Sequence, residues 1–495
     1  MATTGAKWSR QVLAAAAIAL AVTIQPARAW EQWHGDAANT GFVDTVTLPA
    51  RDAFSSVFGI GPIAPGAGPV IGPDGTVYLA TTDGALSAFM PHGALKWRVW
   101  LSTGYQFRSS PAVSVRGDVI YVVGTRVERD HRGGTTVPRS QAMLFRYRSD
   151  GVLLSQTPFP PHEPPPYGMT TTASPVLSSR DGSQVIFIPA LYFGFNGFDR
   201  RLLAYNELGT PMFDQLVTSV NFGDVTGFSS SGLAFWCLMF LCSGIEGGAE
   251  PILREPDELD PAIQPPMASA GVFGSQNPIV VVSDHYQSLV GFSFSTNSGF
   301  REVFRKHLVN GDALPMSSPI ILRDGHSVMA AHYDNRGWLM FAGPGAPNWT
   351  ELAIPRAMAP TLLADGRVFV ISRDGRVTSV LTHPERAVSQ TGDARGHTIA
   401  PAAASCTHIF VSTTRGLTTL DAATLGFVAQ FPIAGGGLSP PAIAPNGTVY
   451  AVAQNILLVF PPPRHRPSDT VTPHGCVPPA VFPGALPSGR NGTAR

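Results

Sequence analysis

Two short clusters carry the side chains best suited to chemistry: Asp284-His285-Tyr286 and His332-Tyr333-Asp334. An imidazole beside a carboxylate can share a proton or ligate a metal ion. Their spacing matches no known ligand pattern, so acid/base or metal chemistry at these positions stands as an alternative. The tyrosines, with Tyr167 and Tyr192, pair an apolar body with a polar tip, and beside donors and acceptors they suit a peptide, glycan or protein surface. Tyr167, Tyr192, Asp284, His285, Tyr286, His332, Tyr333 and Asp334 are therefore expected to form a binding face. The serines of Ser229-Ser230-Ser231-Gly232 lack the Gly-x-Ser-x-Gly frame of a nucleophile elbow.

The elements that must position these residues follow from a repeat. Ala359-Pro360, Ala400-Pro401 and Pro440-Pro441 each open a strand-turn-strand pattern, with the prolines 41 and 40 residues apart. A period near 40 with one buried strand and paired turns per unit is the signature of a propeller blade. The same proline position recurs at Pro69, Pro111, Pro175 and Pro319, and Ala270-Gly271-Val272 marks a further copy in the long gap before Pro319. That makes eight. Within a unit, Gly75–Ala80, Asp83-Gly84 and Ala85–Phe89 read as strand, turn and return strand. The fold class expected is all-β: a single eight-bladed β-propeller of four-stranded antiparallel blades over residues 30–463. The last unit lacks its fourth strand before Pro461-Pro462-Pro463, and Ala53–Ile60 is expected to supply it and close the ring.

In such a blade the second-to-third turns share one face with the connections between blades. That face collects the proline-rich Pro158–Thr172, the insertion 220–267 with its most apolar run, Leu233 to Cys242, and the second-to-third turns of blades three, four and five at Tyr192–Asp199, Ser283–Gln287 and Ala331–Arg336, while His131–Arg139 lengthens blade two. The run is too short to span a bilayer as a helix and reads either as a packed plug or as an apolar contact for a partner. No transmembrane span is expected in the mature chain.

Of 495 residues, 34 are Lys or Arg and 34 are Asp or Glu. With no net field, nucleic acid is not an expected partner. Residues 1–29, with Lys7 and Arg10 before the apolar Val12–Ile24 and then Ala27-Arg28-Ala29, form a signal peptide, so a periplasmic or secreted protein is expected. Export favours oxidised cysteines. Cys237 with Cys242 would close a small loop worth about 2 kcal/mol, and Cys406 with Cys476 would staple the tail at roughly 4 kcal/mol. Four cysteines allow three pairings, and spacing does not choose. The Pro- and Gly-rich tail 464–495 is expected to be disordered.

The unit Gly75-Thr76-Val77-Tyr78 … Asp83-Gly84-Ala85-Leu86-Ser87-Ala88-Phe89 … Gly93-Ala94-Leu95-Lys96-Trp97 resembles the PQQ-like propeller repeat of quinoprotein dehydrogenases and of BamB-like assembly scaffolds. So does the opening Trp30-Glu31-Gln32-Trp33-His34-Gly35-Asp36 through Thr40-Gly41. A quinoprotein dehydrogenase would carry an adjacent Cys–Cys pair, a carboxylate-rich calcium site and often Cys-x-x-Cys-His. None is present, so neither PQQ nor calcium is supported by motifs, and the resemblance implies the non-catalytic, BamB-like branch. Such scaffolds are typically lipoproteins, whereas no lipid-bearing Cys follows Ala29. The function expected is an exported scaffold binding a protein or small ligand. The alternatives are a divergent quinoprotein-like oxidoreductase, or a metal-dependent hydrolase or lyase in the central channel.

Overall fold

The computed structural model describes residues 30–463 and Cys476, apart from 102–103, 133–134, 162–167, 181–182, 194–196, 222–269, 274–277, 284–287, 308–313, 334–335, 344–349, 383–385, 434–438 and the single positions 33, 37, 54, 65, 172, 316, 323, 356, 359 and 399. The described residues contain no helix. They form eight blades of four antiparallel strands in a ring, the expected fold. No helix is long and apolar enough to cross a membrane.

Blade one shows how the repeat folds: Val70–Ile71, Val77–Ala80, Ala85–Phe89 and Leu95–Trp100 pair in chain order from the axis outward. The first turn is set by Asp74, whose carboxylate accepts the Thr76 N–H at 2.9 Å and the Thr76 hydroxyl at 2.7 Å. The same side-chain cap recurs from Asp324 to His326 at 3.0 Å, from Asp365 to Arg367 at 3.1 Å and from Asn446 to Thr448 at 3.0 Å. The repeated Asp-Gly and Asn-Gly pairs are thus turn locks, with the glycine taking the left-handed backbone that the turn needs. Trp97 joins blade one to blade two, its indole N–H donating to Ser149 O at 2.8 Å.

The ring closes as expected. Ser55–Val57 pairs antiparallel with Ile456–Phe460, placing Ser55 opposite Val459 and Val57 opposite Leu457. This closing strand is shorter than the run Ala53–Ile60, because beyond Val57 the chain leaves the ladder and only the Ile60 N–H returns, to Asn455 O at 3.0 Å. The unit marked by Ala270 is blade four, with strands Ala270–Phe273, Ile279–Ser283, Ser288–Ser295 and Gly299–His307. One proline misleads as a ruler: the inner strand of blade seven is Ala403–Ala404, so Ala402 and not Pro401 holds the position that proline holds elsewhere.

The axis is filled by the chain's own N-terminal segment. Inner strands are edge strands, and their axis-facing N–H groups need acceptors. Ile71 N–H of blade one donates to Trp30 O at 2.7 Å, Val113 of blade two to Glu31 O at 2.7 Å, Ile321 of blade five to Ala38 O at 2.8 Å, Leu362 of blade six to Thr40 O at 2.7 Å and Ala404 of blade seven to Gly41 O at 2.7 Å. In blade three the acceptor is a side chain, Gln32 Oε1, at 2.8 Å from Leu177 N. Thr45 then reaches blade eight, its hydroxyl donating to Pro445 O at 2.8 Å. Residues 30–45 therefore make one circuit of the axis in the order of the blades. Each buried N–H left without this partner would cost about 1–3 kcal/mol.

Candidate binding face

Two kinds of second-to-third turn share the face that also carries the connections between blades. In blades one, six, seven and eight the turns are short, running through Thr81–Gly84, Ser372–Gly375, Thr414-Arg415 and Gln454-Asn455. In blades two and three they are tall: Val119–Arg132 pairs with Thr135–Arg148, and Ser183–Phe193 with Gly197–Asn206. The lower half of the blade-two hairpin packs in the ring through Ile120, Val122, Leu144 and Phe145, and the upper half, Val127–Arg139, is mostly polar by sequence. This is the extension expected around His131–Arg139.

Connections buttress the tall hairpins. Tyr105–Phe107 pairs with the blade-two hairpin, and Leu314–Pro315 with Ser327–Tyr333 in blade five. Gly168–Thr170 pairs antiparallel with blade three while Gly168 bridges Ser140 of blade two in parallel. Blades two and three thereby share one sheet, whose main path of seven strands runs from Pro211–Asn221 to Tyr105–Phe107. This wall stands on one side of the face, with short turns on the other.

Arginine–tyrosine stacks stiffen the wall. The Arg126 guanidinium lies 5.1 Å from the centre of the Tyr105 ring and donates to Gln141 Oε1 at 3.1 Å. Arg201 lies 5.7 Å from the Tyr192 ring and donates to Asp214 Oδ2 at 2.7 Å. Tyr192, expected on the exposed face, is only 1% exposed, and its hydroxyl donates to Pro160 O at 3.1 Å. It belongs to the core under the wall. Burial pushes its phenol pKa up, the Asp214 carboxylate adds to this, and Arg201 opposes it, so it offers no base.

His332 and Tyr333 lie in a strand and not in a turn, in register with Gly337 and Arg336. Tyr167, Asp284, His285, Tyr286 and Asp334 fall outside the described residues, as do Cys237, Cys242, the run Leu233 to Cys242 and most of the insertion 220–267. Cys406 and Cys476 form a disulfide, with Cα atoms 5.3 Å apart. Asp44 lies beside it and accepts the Cys476 N–H at 3.0 Å, but both sulfurs are spent on each other and provide no thiolate for a metal.

Sequence reading missed the axial residues. His34 is 2% exposed in a left-handed conformation, and its Nε2 lies 3.0 Å from Ala402 O. A carbonyl only accepts, so this nitrogen carries the proton. Burial drives the imidazole pKa down to about 4, against the opposing pull of its main-chain hydrogen bonds. Asp36 shapes the next turn, accepting the Ala38 N–H at 3.1 Å, the Thr40 N–H at 3.0 Å and the Thr40 hydroxyl at 2.9 Å. The signal for this segment was the Trp30–Gly41 pattern itself, whose Gly and Asp positions the circuit explains.

A second polar group tests for hydrolytic chemistry and fails. Ser405, Thr47 and His408 touch in a chain, Thr47 Oγ1 lying 2.8 Å from Ser405 Oγ and 3.1 Å from His408 Nδ1. Ser405 is fully buried and bonded to the His408 carbonyl, so it has neither a substrate approach nor a direct line to the imidazole. The group pins the strap that follows the axial circuit. The axis does not fit a quinone–calcium centre either. Among the described residues there, His34, Asn39 and Thr361 are engaged with main-chain carbonyls, and the Asp36 carboxylate is taken up by Ala38 and Thr40.

No family model matches the chain, and no curated protein matches it. Among solved structures it is similar to BamB from Moraxella catarrhalis, at 12% identity and TM-score 0.50, covering 84% of this chain and 98% of that one. It is also similar to the Dos1 propeller, at 9% identity and TM-score 0.46 over 81% and 96% of the two chains. The Myceliophteria_thermophila Cps50 (Swd1) β-propeller domain aligns at 8% identity and TM-score 0.38 over 82% and 98%. At these identities the likeness shows the propeller fold alone.

Proposed function

We propose that the protein is an exported, non-catalytic scaffold that binds a protein or small ligand on the face carrying the seven-stranded wall. One observation carries this reading: the face is raised over blades two and three, away from the regular ring, while the axis is closed by residues 30–45. A rigid sheet with polar upper strands beside low turns suits partner recognition. The oxidoreductase and hydrolase alternatives place their chemistry on the axis, where the chain's own residues lie. The BamB-like branch fits the fold likeness and the lack of a Cys–Cys pair. Export to the periplasm or the medium is supported by the leader-like residues 1–29 and by the disulfide, which belongs to oxidising compartments.

Photo-crosslinking tests the face. A benzophenone amino acid at Gln106 or Gln141 on the wall is expected to capture a partner in the native host, while the same group at Arg116 or Asp150 on the opposite face captures none. Equal capture from both faces, or none from the wall, would overturn the reading. Quinone- and calcium-dependent dye reduction with alcohols or sugars would overturn its non-catalytic part.

A further inference from the structure

We propose that residues 30–45 are an acid-releasable plug of the propeller axis, with His34 as the latch. Near its ends Trp30 and Val43 pack in the apolar core of blades seven, eight and one, and the stretch between them is held by hydrogen bonds. The plug meets blades one, two, three, five, six and seven through hydrogen bonds to their inner strands, and contributes no strand to any of them. His34 is where it is pinned between two blades: Nε2–H donates to Ala402 O of blade seven at 3.0 Å, and Thr361 Oγ1 of blade six lies 3.4 Å from the same nitrogen. Thr361 donates to that same carbonyl at 3.1 Å, so the imidazole shares one acceptor with a blade side chain. Gly41 closes over the ring. A Cβ there would clash with His34 Nε2, so the imidazole lies directly against the Gly41 backbone while the plug is seated.

Protonation changes this balance. The imidazolium would be a buried cation, and among the groups packed against it no carboxylate contributes to its titration. Blades six and seven present Thr361 and main-chain groups. On the plug itself the acidic residues are Glu31, Asp36 and Asp44; Asp36 is committed to capping Ala38 and Thr40, and Asp44 accepts the Cys476 N–H beside the disulfide. The strap beyond the plug meets His408, which faces Thr47 and Thr407 and lies opposite Asp421 in register. The released plug regains an ordinary, solvated imidazole. Release therefore binds a proton and is favoured as pH falls below about 6.5. With the seated imidazole titrating near 4, the open fraction at pH 4.5 should exceed that at pH 7.5 by roughly 50- to 100-fold.

Hydrogen exchange on the full chain reads this directly. After correction for the intrinsic pH dependence, the amides of Ile71, Val113, Ile321, Leu362 and Ala404 are expected to lose at least tenfold protection at pH 4.5 relative to 7.5, while the strand Val77–Ala80 stays protected. His34→Gln keeps a donor for Ala402 O but does not titrate, and should abolish the change with Asp36, Glu31 and His408 still in place. His408→Gln should leave it intact. Loss of protection in all blades together would overturn the proposal. So would an unchanged axis at pH 4.5, or an acid response that survives His34→Gln or disappears with His408→Gln.

Discussion

Tyr450 of blade eight donates its hydroxyl proton to the main-chain carbonyl of Pro91 in blade one at 2.8 Å, joining positions 359 residues apart. The bond runs from the second strand of one blade to the third-to-fourth turn of the next. Tyr121 repeats it, donating from blade two to Glu207 O in blade three at 3.0 Å. In blade one the indole of Trp97 takes the matching carbonyl, Ser149 O. The aromatic position of the repeat thus does two jobs, filling the core and latching the neighbouring blade. At the seam where the ring closes, it works beside the Ser55–Val57 strand.

Tyr450→Phe keeps the ring volume and removes only the latch. Pro91 is exposed, so water can take over its carbonyl, and the loss should be about 1 kcal/mol. Urea unfolding should show a lower midpoint with an unchanged slope. A neutral result would mean that the strand pairing alone carries the seam.

Gly41→Ala should cost more than its single methyl suggests. The residue sits at φ 65° with the His34 ring directly against it. Displacing that ring breaks the Ala402 bond, and a loss of about 2–4 kcal/mol is expected. Thermal unfolding compared with Gly59→Ala, where the left-handed backbone is similar but a Cβ meets nothing within 4 Å, separates packing from backbone strain.

Cys406→Ser, or reduction of the wild type, opens a crosslink between residues 70 positions apart. Chain entropy puts its contribution at about 4 kcal/mol. Without reductant, the denaturant midpoint of the variant should fall below that of the wild type, and an unchanged midpoint would show that the crosslink adds nothing.

Arg367 is 8% exposed and ties blade six to blade seven, donating to Asp365 at 2.6 Å, Gln390 at 2.6 Å and the carbonyls of Ala422 at 3.1 Å and Ala423 at 3.3 Å. Arg367→Lys keeps the charge but cannot span this fork, and should destabilise by about 2–3 kcal/mol. Full rescue by lysine in an unfolding titration would show that the charge and not the geometry matters.

Much of the ring was legible because blades are local. Proline spacing, Asp-Gly turns and alternating strands place each hairpin within some 40 residues of chain. Pro401 shows the limit: a one-residue slip in a small-residue run leaves the pattern readable while the true strand starts at Ala403. Tyr192 shows another. Its polar tip suggested a surface, but pairing across the tall hairpin brought Arg201 and Pro160 over it.

By itself the sequence determined the blade count, the turn chemistry and the missing last strand, since each follows from residues close together in the chain. Only the tertiary structure decided what meets at the axis and along the wall. The acceptors for six inner-strand donors come from residues 30–41, up to 363 positions away as in the Ala404–Gly41 pair, and no local pattern encodes such contacts. The physical reason is the demand of closure: a ring must satisfy its inward edges, and this chain satisfies them with its own residues 30–41.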